Sequence, residues 1–196
     1  MMFISLAAAL AASPVTLAMP VIKGMMLHSS AALTLNFELM QITNVTMNCT
    51  RPDSHQDLNC GVKFDWFDPN SVRENKVSST TCNQTWSWDG KHTIGGDDNA
   101  LDTPYLPCWQ SEEDGTYFAM RLMTFVGPTN FTLQLSHQYK DSENFTAPWD
   151  YPTTFAQPTL VLSLPEEEKP IAPLPKNEIH LFSPGPFYTE VVGVTI

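Results

Sequence analysis

Asn130-Phe131-Thr132-Leu133-Gln134-Leu135-Ser136 alternates polar and apolar residues without a break. That is the period-two pattern of a β-strand with one face in a core and the other in solvent. The same rhythm recurs through the chain. Val62, Phe64 and Trp66 alternate with polar residues before Asp68-Pro69-Asn70, a stretch with turn chemistry. Leu33, Leu35, Phe37 and Leu39 alternate in the same way; after a phase slip near Gln41, read as a bulge or turn, Val45, Met47 and Cys49 continue the pattern. Further strands are predicted over 80–88, 117–126, 130–139 and 159–164. Helical periodicity is hard to find. Six or seven short strands separated by Gly, Pro and Asn predict an all-β fold, a single small β-barrel or β-sandwich.

Met1 to Ala18 is an apolar run with clustered alanines ending in Thr16-Leu17-Ala18, which reads as a secretory signal cleaved before Met19. Its apolar core is about a dozen residues, interrupted by Ser13-Pro14, against the ~20 needed to span a bilayer. A secreted, extracellular protein without a membrane span is expected. Of the 196 residues, 178 would remain, enough for one domain with its own core.

Secretion makes two further patterns meaningful. Five Asn-x-Thr triplets begin at Asn44, Asn48, Asn83, Asn130 and Asn144, and a glycosylated asparagine must face solvent. Asn44, Thr46 and Asn48 share one strand parity while Val45, Met47 and Cys49 share the other. Asn83 is out of phase with Cys82 and Trp86, and Asn130 is out of phase with Phe131, Leu133 and Leu135. Three strands thus give the same inside and outside, although some sequons are expected to stay unused. Four cysteines, Cys49, Cys60, Cys82 and Cys108, allow three pairings, and sequence alone does not choose. Proximity favours Cys49 with Cys60, stapling a hairpin, which leaves Cys82 for Cys108 across a Gly-rich loop. A zinc site is disfavoured because Cys-x-x-Cys is absent and the compartment is oxidising.

The net charge of −11, from 21 acidic and 10 basic residues, opposes binding to phosphate backbones, so no nucleic-acid partner is expected. From Pro165 the composition becomes Pro- and Glu-rich. The expected organisation is a signal peptide over 1–18, a secreted β domain over 19–164 and an extended, flexible tail over 165–196. Within that tail, 187–196 has strand character and could instead join a sheet edge.

No nucleophile elbow, zinc-protease helix or phosphate loop is present, and no catalytic residue, metal or cofactor is assigned. His137 lies four residues before Asp141, so the two would share a strand face, and a histidine oriented by a carboxylate is the pattern a hydrolase would need. The simpler reading is a hydrogen-bonded histidine at a strand end. Asp97, Asp98, Asn99 and Asp102 form an acidic loop without calcium-loop spacing. Among the aromatics, Trp86 and Trp109 are expected to pack beside the disulfide. Trp149 and Tyr151, flanked by prolines, form the candidate binding loop, because exposed rings are platforms for sugars and for protein contacts.

Cys49 and Cys60 around a hairpin into Val62-Lys63-Phe64-Asp65, then Cys82 and Cys108, then Phe131 to His137, resemble the fungal secreted proteins related to the Alternaria major allergen. The resemblance covers about Leu33 to Leu164. It implies a β-barrel, disulfides Cys49–Cys60 and Cys82–Cys108, and an allergen-like or effector-like role. The allergen uses an extra cysteine for a covalent dimer. This chain has none to spare, so such a dimer is not expected, and its tail also departs from the family. The sequence therefore predicts a non-enzymatic glycoprotein that binds a host or cell-wall protein. A carbohydrate-binding protein of the cell wall and a secreted hydrolase are the alternatives.

Overall fold

Alternating side chains build two antiparallel sheets in the computed structural model, which describes residues 36–72, 74, 77–95, 104–111, 115–163 and 177–196. The expected signal segment 1–18, the acidic loop 97–102 and the Pro-rich stretch 165–176 lie outside the described residues. The first sheet has β1 (Met40–Thr50), β2 (Leu58–Phe67) and β3 (Ser79–Trp88), with β10 (Glu178–Ser183) and β11 (Phe187–Thr189) following one another along the free side of β1. In the second, β6 (Thr116–Gly127) and β7 (Asn130–Gln138) form the centre. They are flanked by β4 (Ile94–Gly95) and β5 (Leu106–Ser111) on β6, and by β8 (Thr153–Ala156) and β9 (Thr159–Val161) on β7; β12 (Val191–Thr195) extends the sheet beyond β8. The sheets do not close into a barrel, so the fold is a β-sandwich. No described helix is long and apolar enough to cross a membrane.

Inward positions from both sheets fill one core. Trp66 of β2 meets Phe118 of β6 edge-to-face at 4.9 Å, while Trp86 and Trp88 of β3 meet Phe125 at 5.0 and 5.2 Å. These spacings suit ring quadrupoles, and each large apolar side chain removed from water contributes roughly 1.5–3 kcal/mol. Trp86 and Trp109 pack against this core as expected.

Two links hold the sheets together at their margins. Only Glu190 separates β11 in the first sheet from β12 in the second, so the chain itself crosses between layers. Toward the other edge, the Cys82–Cys108 disulfide joins β3 of one sheet to β5 of the other, while Cys49–Cys60 staples the β1–β2 hairpin. On the loop-entropy account each closure stabilises the fold by about 3 kcal/mol.

Several sequence expectations are corrected. The strand read over Leu33–Leu39 is absent from its described part: residues 36–39 are not strand, and β1 begins at Met40. The phase slip lies at Asn44 rather than Gln41, where the β1–β2 register breaks between Thr43 and Thr46 and Asn44 adopts φ 53°. The bulge fits the β10–β11 connection, since the Asn44 amide donates to the Pro184 carbonyl at 3.1 Å. Gly185 comes next with φ +76°, and a Cβ there would lie 2.8 Å from the Ile42 carbonyl oxygen. The flexible tail is also corrected in its described part, because Glu178–Thr195 supplies three strands and the β domain does not end at 164. A run of prolines hid this continuation, since proline opposes a ladder only where it occurs.

Candidate functional site

From the Asn44 bulge to Thr50 and across β2 and β3 the outward face of the first sheet is polar, with exposed Phe182 of β10 at its edge opposite Thr46, and its rows follow from the register. Asn48, Gly61 and Thr85 lie across from one another, as do Thr46, Lys63 and Asn83. Gly61 leaves a gap in the middle of this face, giving a shallow depression of about 270 Å³ between Asn48 and Asn83. A Cβ at Gly61 would approach Thr85 Cγ2 to 3.1 Å. Asn44, Asn48, Asn83, Asn130 and Asn144 are all exposed. Some are already ordered: Asn44 Nδ2 donates to Asp65 at 2.8 Å, His180 Nδ1 donates to Asn48 Oδ1 at 2.6 Å, and Asn144 Nδ2 donates to Asp141 at 2.9 Å. The Asn44 bond, helped by Thr81, holds the Asp65 carboxyl below the usual carboxylate range.

The Trp149–Tyr151 loop joins β7 to β8. Its neck is closed by hydrogen bonds from the Tyr139 amide to the Pro152 carbonyl and from the Asp141 amide to the Asp150 carbonyl. Trp149 is 59% exposed at its tip. Tyr151 is more sheltered and overlies Gly115, where an added Cβ would meet its ring at 3.0 Å. The structure thus brings both residues into one tethered loop, with only the indole fully presented.

His137 does not pair with Asp141. Asp141 instead accepts from the Asn144 amide and side chain within the loop, whereas His137 Nδ1 donates to Asp68 Oδ2 at 2.7 Å with both side chains fully buried. The other Asp68 oxygen accepts from the Asn70 amide at 2.9 Å and from Asn70 Nδ2 at 2.8 Å. The imidazole stacks on Phe118 at 3.7 Å, and Nε2 has no hydrogen-bond partner among the described residues. Burial pushes the His137 pKa down, against the opposing pull of Asp68. A neutral ring donating from Nδ1 satisfies Asp68 and leaves only a lone pair in apolar surroundings, so this pair is built as a core staple. The sequence missed Asp68, reading it only as a turn residue 69 positions away from its partner.

A second arrangement also escaped the sequence. On the outer face of the second sheet, Arg121 donates from Nε to Gln134 at 2.7 Å and stands over the Tyr105 ring at 4.9 Å. Arg121 and Gln134 are directly opposed in the β6–β7 register, and their shared outward parity was the available signal.

No protein-family model, curated protein or solved structure matches the chain.

Proposed function

We propose that the chain is a secreted, N-glycosylated binding protein, effector-like or allergen-like in the sense of the fungal group it resembles, that acts by contact with another protein outside the cell without catalysing a reaction. The observation that carries this reading is the exposure of all five sequon asparagines on a sandwich held by two disulfides. Both features suit an oxidising, glycan-adding compartment. Sealing of the His137–Asp68 pair supports the non-enzymatic part, because no substrate reaches a fully buried imidazole.

A second reading rests on Trp149. An indole this exposed on a loop with a closed neck is a platform for the apolar face of a sugar ring. The purified glycoprotein should be mixed with insoluble chitin, β-glucan and cellulose, and both depletion and soluble products measured. Protein remaining in solution over intact polymers is the expected result. Depletion abolished by Trp149→Ala would replace the protein-contact reading with the carbohydrate one, and soluble products would establish an enzyme.

A further inference from the structure

The outward face of the first sheet changes character beyond the Asn44 bulge. Tyr188 of β11, Gln41 of β1 and Phe67 of β2 stand in one cross-strand row. Leu39 lies two residues before Gln41, just ahead of β1. Tyr188 is 62% exposed, Leu39 48% and Phe67 37%. Exposed apolar side chains scattered singly are ordinary, but Tyr188 and Phe67 flank one glutamine across adjoining strands and exposed Leu39 enters the same strand, which makes a patch, and Tyr and Phe are favoured at the centres of protein contacts.

The patch is anchored, and among the described residues the charged groups nearest to it in the chain are acidic. Asn70 accepts from the Glu38 amide at 2.7 Å and donates to the Glu38 carbonyl at 3.1 Å, which fixes the chain beside Leu39; the same Asn70 is held by buried Asp68. Glu38 and Glu190 are exposed next to Leu39 and close to Tyr188 in sequence, and Asp65 faces outward two residues from Phe67. Lys63 is the cation on this part of β2, beyond Asp65 from the patch. The whole chain carries −11.

We propose that Leu39, Phe67 and Tyr188 form the centre of a docking surface for a basic protein segment, whose apolar side chains cover the patch while its Lys or Arg side chains meet Glu38, Asp65 and Glu190. This rests on the protein-contact reading above and names the face that makes the contact. A second copy is the poorer occupant, because two such faces would bring like-charged rims together, whereas a cationic partner is steered toward this one.

The test uses the purified glycoprotein and a ten-residue peptide alternating lysine with phenylalanine and leucine, with a peptide carrying glutamate in place of lysine as control. Fluorescence anisotropy at near-physiological salt should give saturable binding of the lysine peptide only. Binding should weaken roughly tenfold or more in Leu39→Ser/Tyr188→Ser and severalfold in Glu38→Gln/Glu190→Gln, and stay unchanged in Val161→Ser, an exposed site on the second sheet. Circular dichroism should show all variants folded, since each replaces an exposed side chain. Absence of saturable binding, or binding undiminished in Leu39→Ser/Tyr188→Ser, overturns the proposal. Self-association lost in that same variant would assign the patch to a second copy and overturn the basic partner. Failure of secretion or glycosylation would show in the product of expression, separately from this binding result.

Discussion

His137 Nδ1 and Asp68 Oδ2 meet at 2.7 Å in the core, joining the end of β7 to the turn after β2. Because Asp68 also holds Asn70, and Asn70 holds the backbone of Glu38, this one contact links the centre of the sandwich to the entry of β1. His137→Ala leaves the Asp68 carboxyl buried without that donor and opens a cavity against Phe118. A loss of about 3 kcal/mol is expected, which for a domain of this size lowers Tm by roughly 6–12 °C. Thermal unfolding checks it; a drop of less than about 2 °C would show that the pair contributes little.

The same histidine sets an acid dependence. Its folded pKa lies below its ordinary value because burial outweighs the Asp68 contact. The unfolded chain therefore takes up a proton first as pH falls through about 6.5, and stability present above that pH is lost as pH falls toward the lowered folded value. Tm should decline from pH 7.5 to 5, and His137→Phe should decline less over that window. Parallel slopes for the two proteins would assign the decline to other groups.

Disulfide removal should rank the two bonds. Cys82 and Cys108 are 26 residues apart and tie one sheet to the other, whereas Cys49 and Cys60 are 11 apart within a hairpin. Loop entropy alone makes the longer closure more stabilising by about 0.8 kcal/mol. Denaturant unfolding of Cys82→Ala/Cys108→Ala should give the lower midpoint of the two double variants, and the reverse order would contradict a role in joining the sheets.

Gly185 is expected to tolerate no side chain. Its φ of +76° disfavours L residues, and a Cβ would press on the Ile42 carbonyl opposite the bulge. Gly185→Ala should cost about 1–2 kcal/mol or more. At Gly127 the nearest atom to an added Cβ is Trp88 at 3.8 Å, so Gly127→Ala should be close to neutral on that count. Equal stability of the two variants would place the strain elsewhere.

Much of the fold was legible because period-two alternation survives wherever one face is buried. Phe131, Leu133 and Leu135 point inward and Asn130 outward, as their parity requires. Short strands were less legible: β8 has four residues and β4 two, too few for alternation to stand out, although the strand predicted over 159–164 does contain β9. The His137–Asp68 contact was hidden for another reason, since strand parity relates neighbours in sequence and carries no information about a partner in a turn beyond the opposite sheet. Trp149 was legible as a loop aromatic, whereas the Leu39–Phe67–Tyr188 patch needed the register of three strands.

Secretion, glycosylation and disulfide pairing are tested together by mass spectrometry of the protein released by a eukaryotic secretory host, mapped under non-reducing conditions before and after enzymatic deglycosylation. A secreted glycoprotein should give a mature chain beginning at Met19, glycans on several of the five sequon asparagines, and Cys49–Cys60 and Cys82–Cys108 linked. A chain retained inside the cell with bare asparagines and free thiols would contradict that reading.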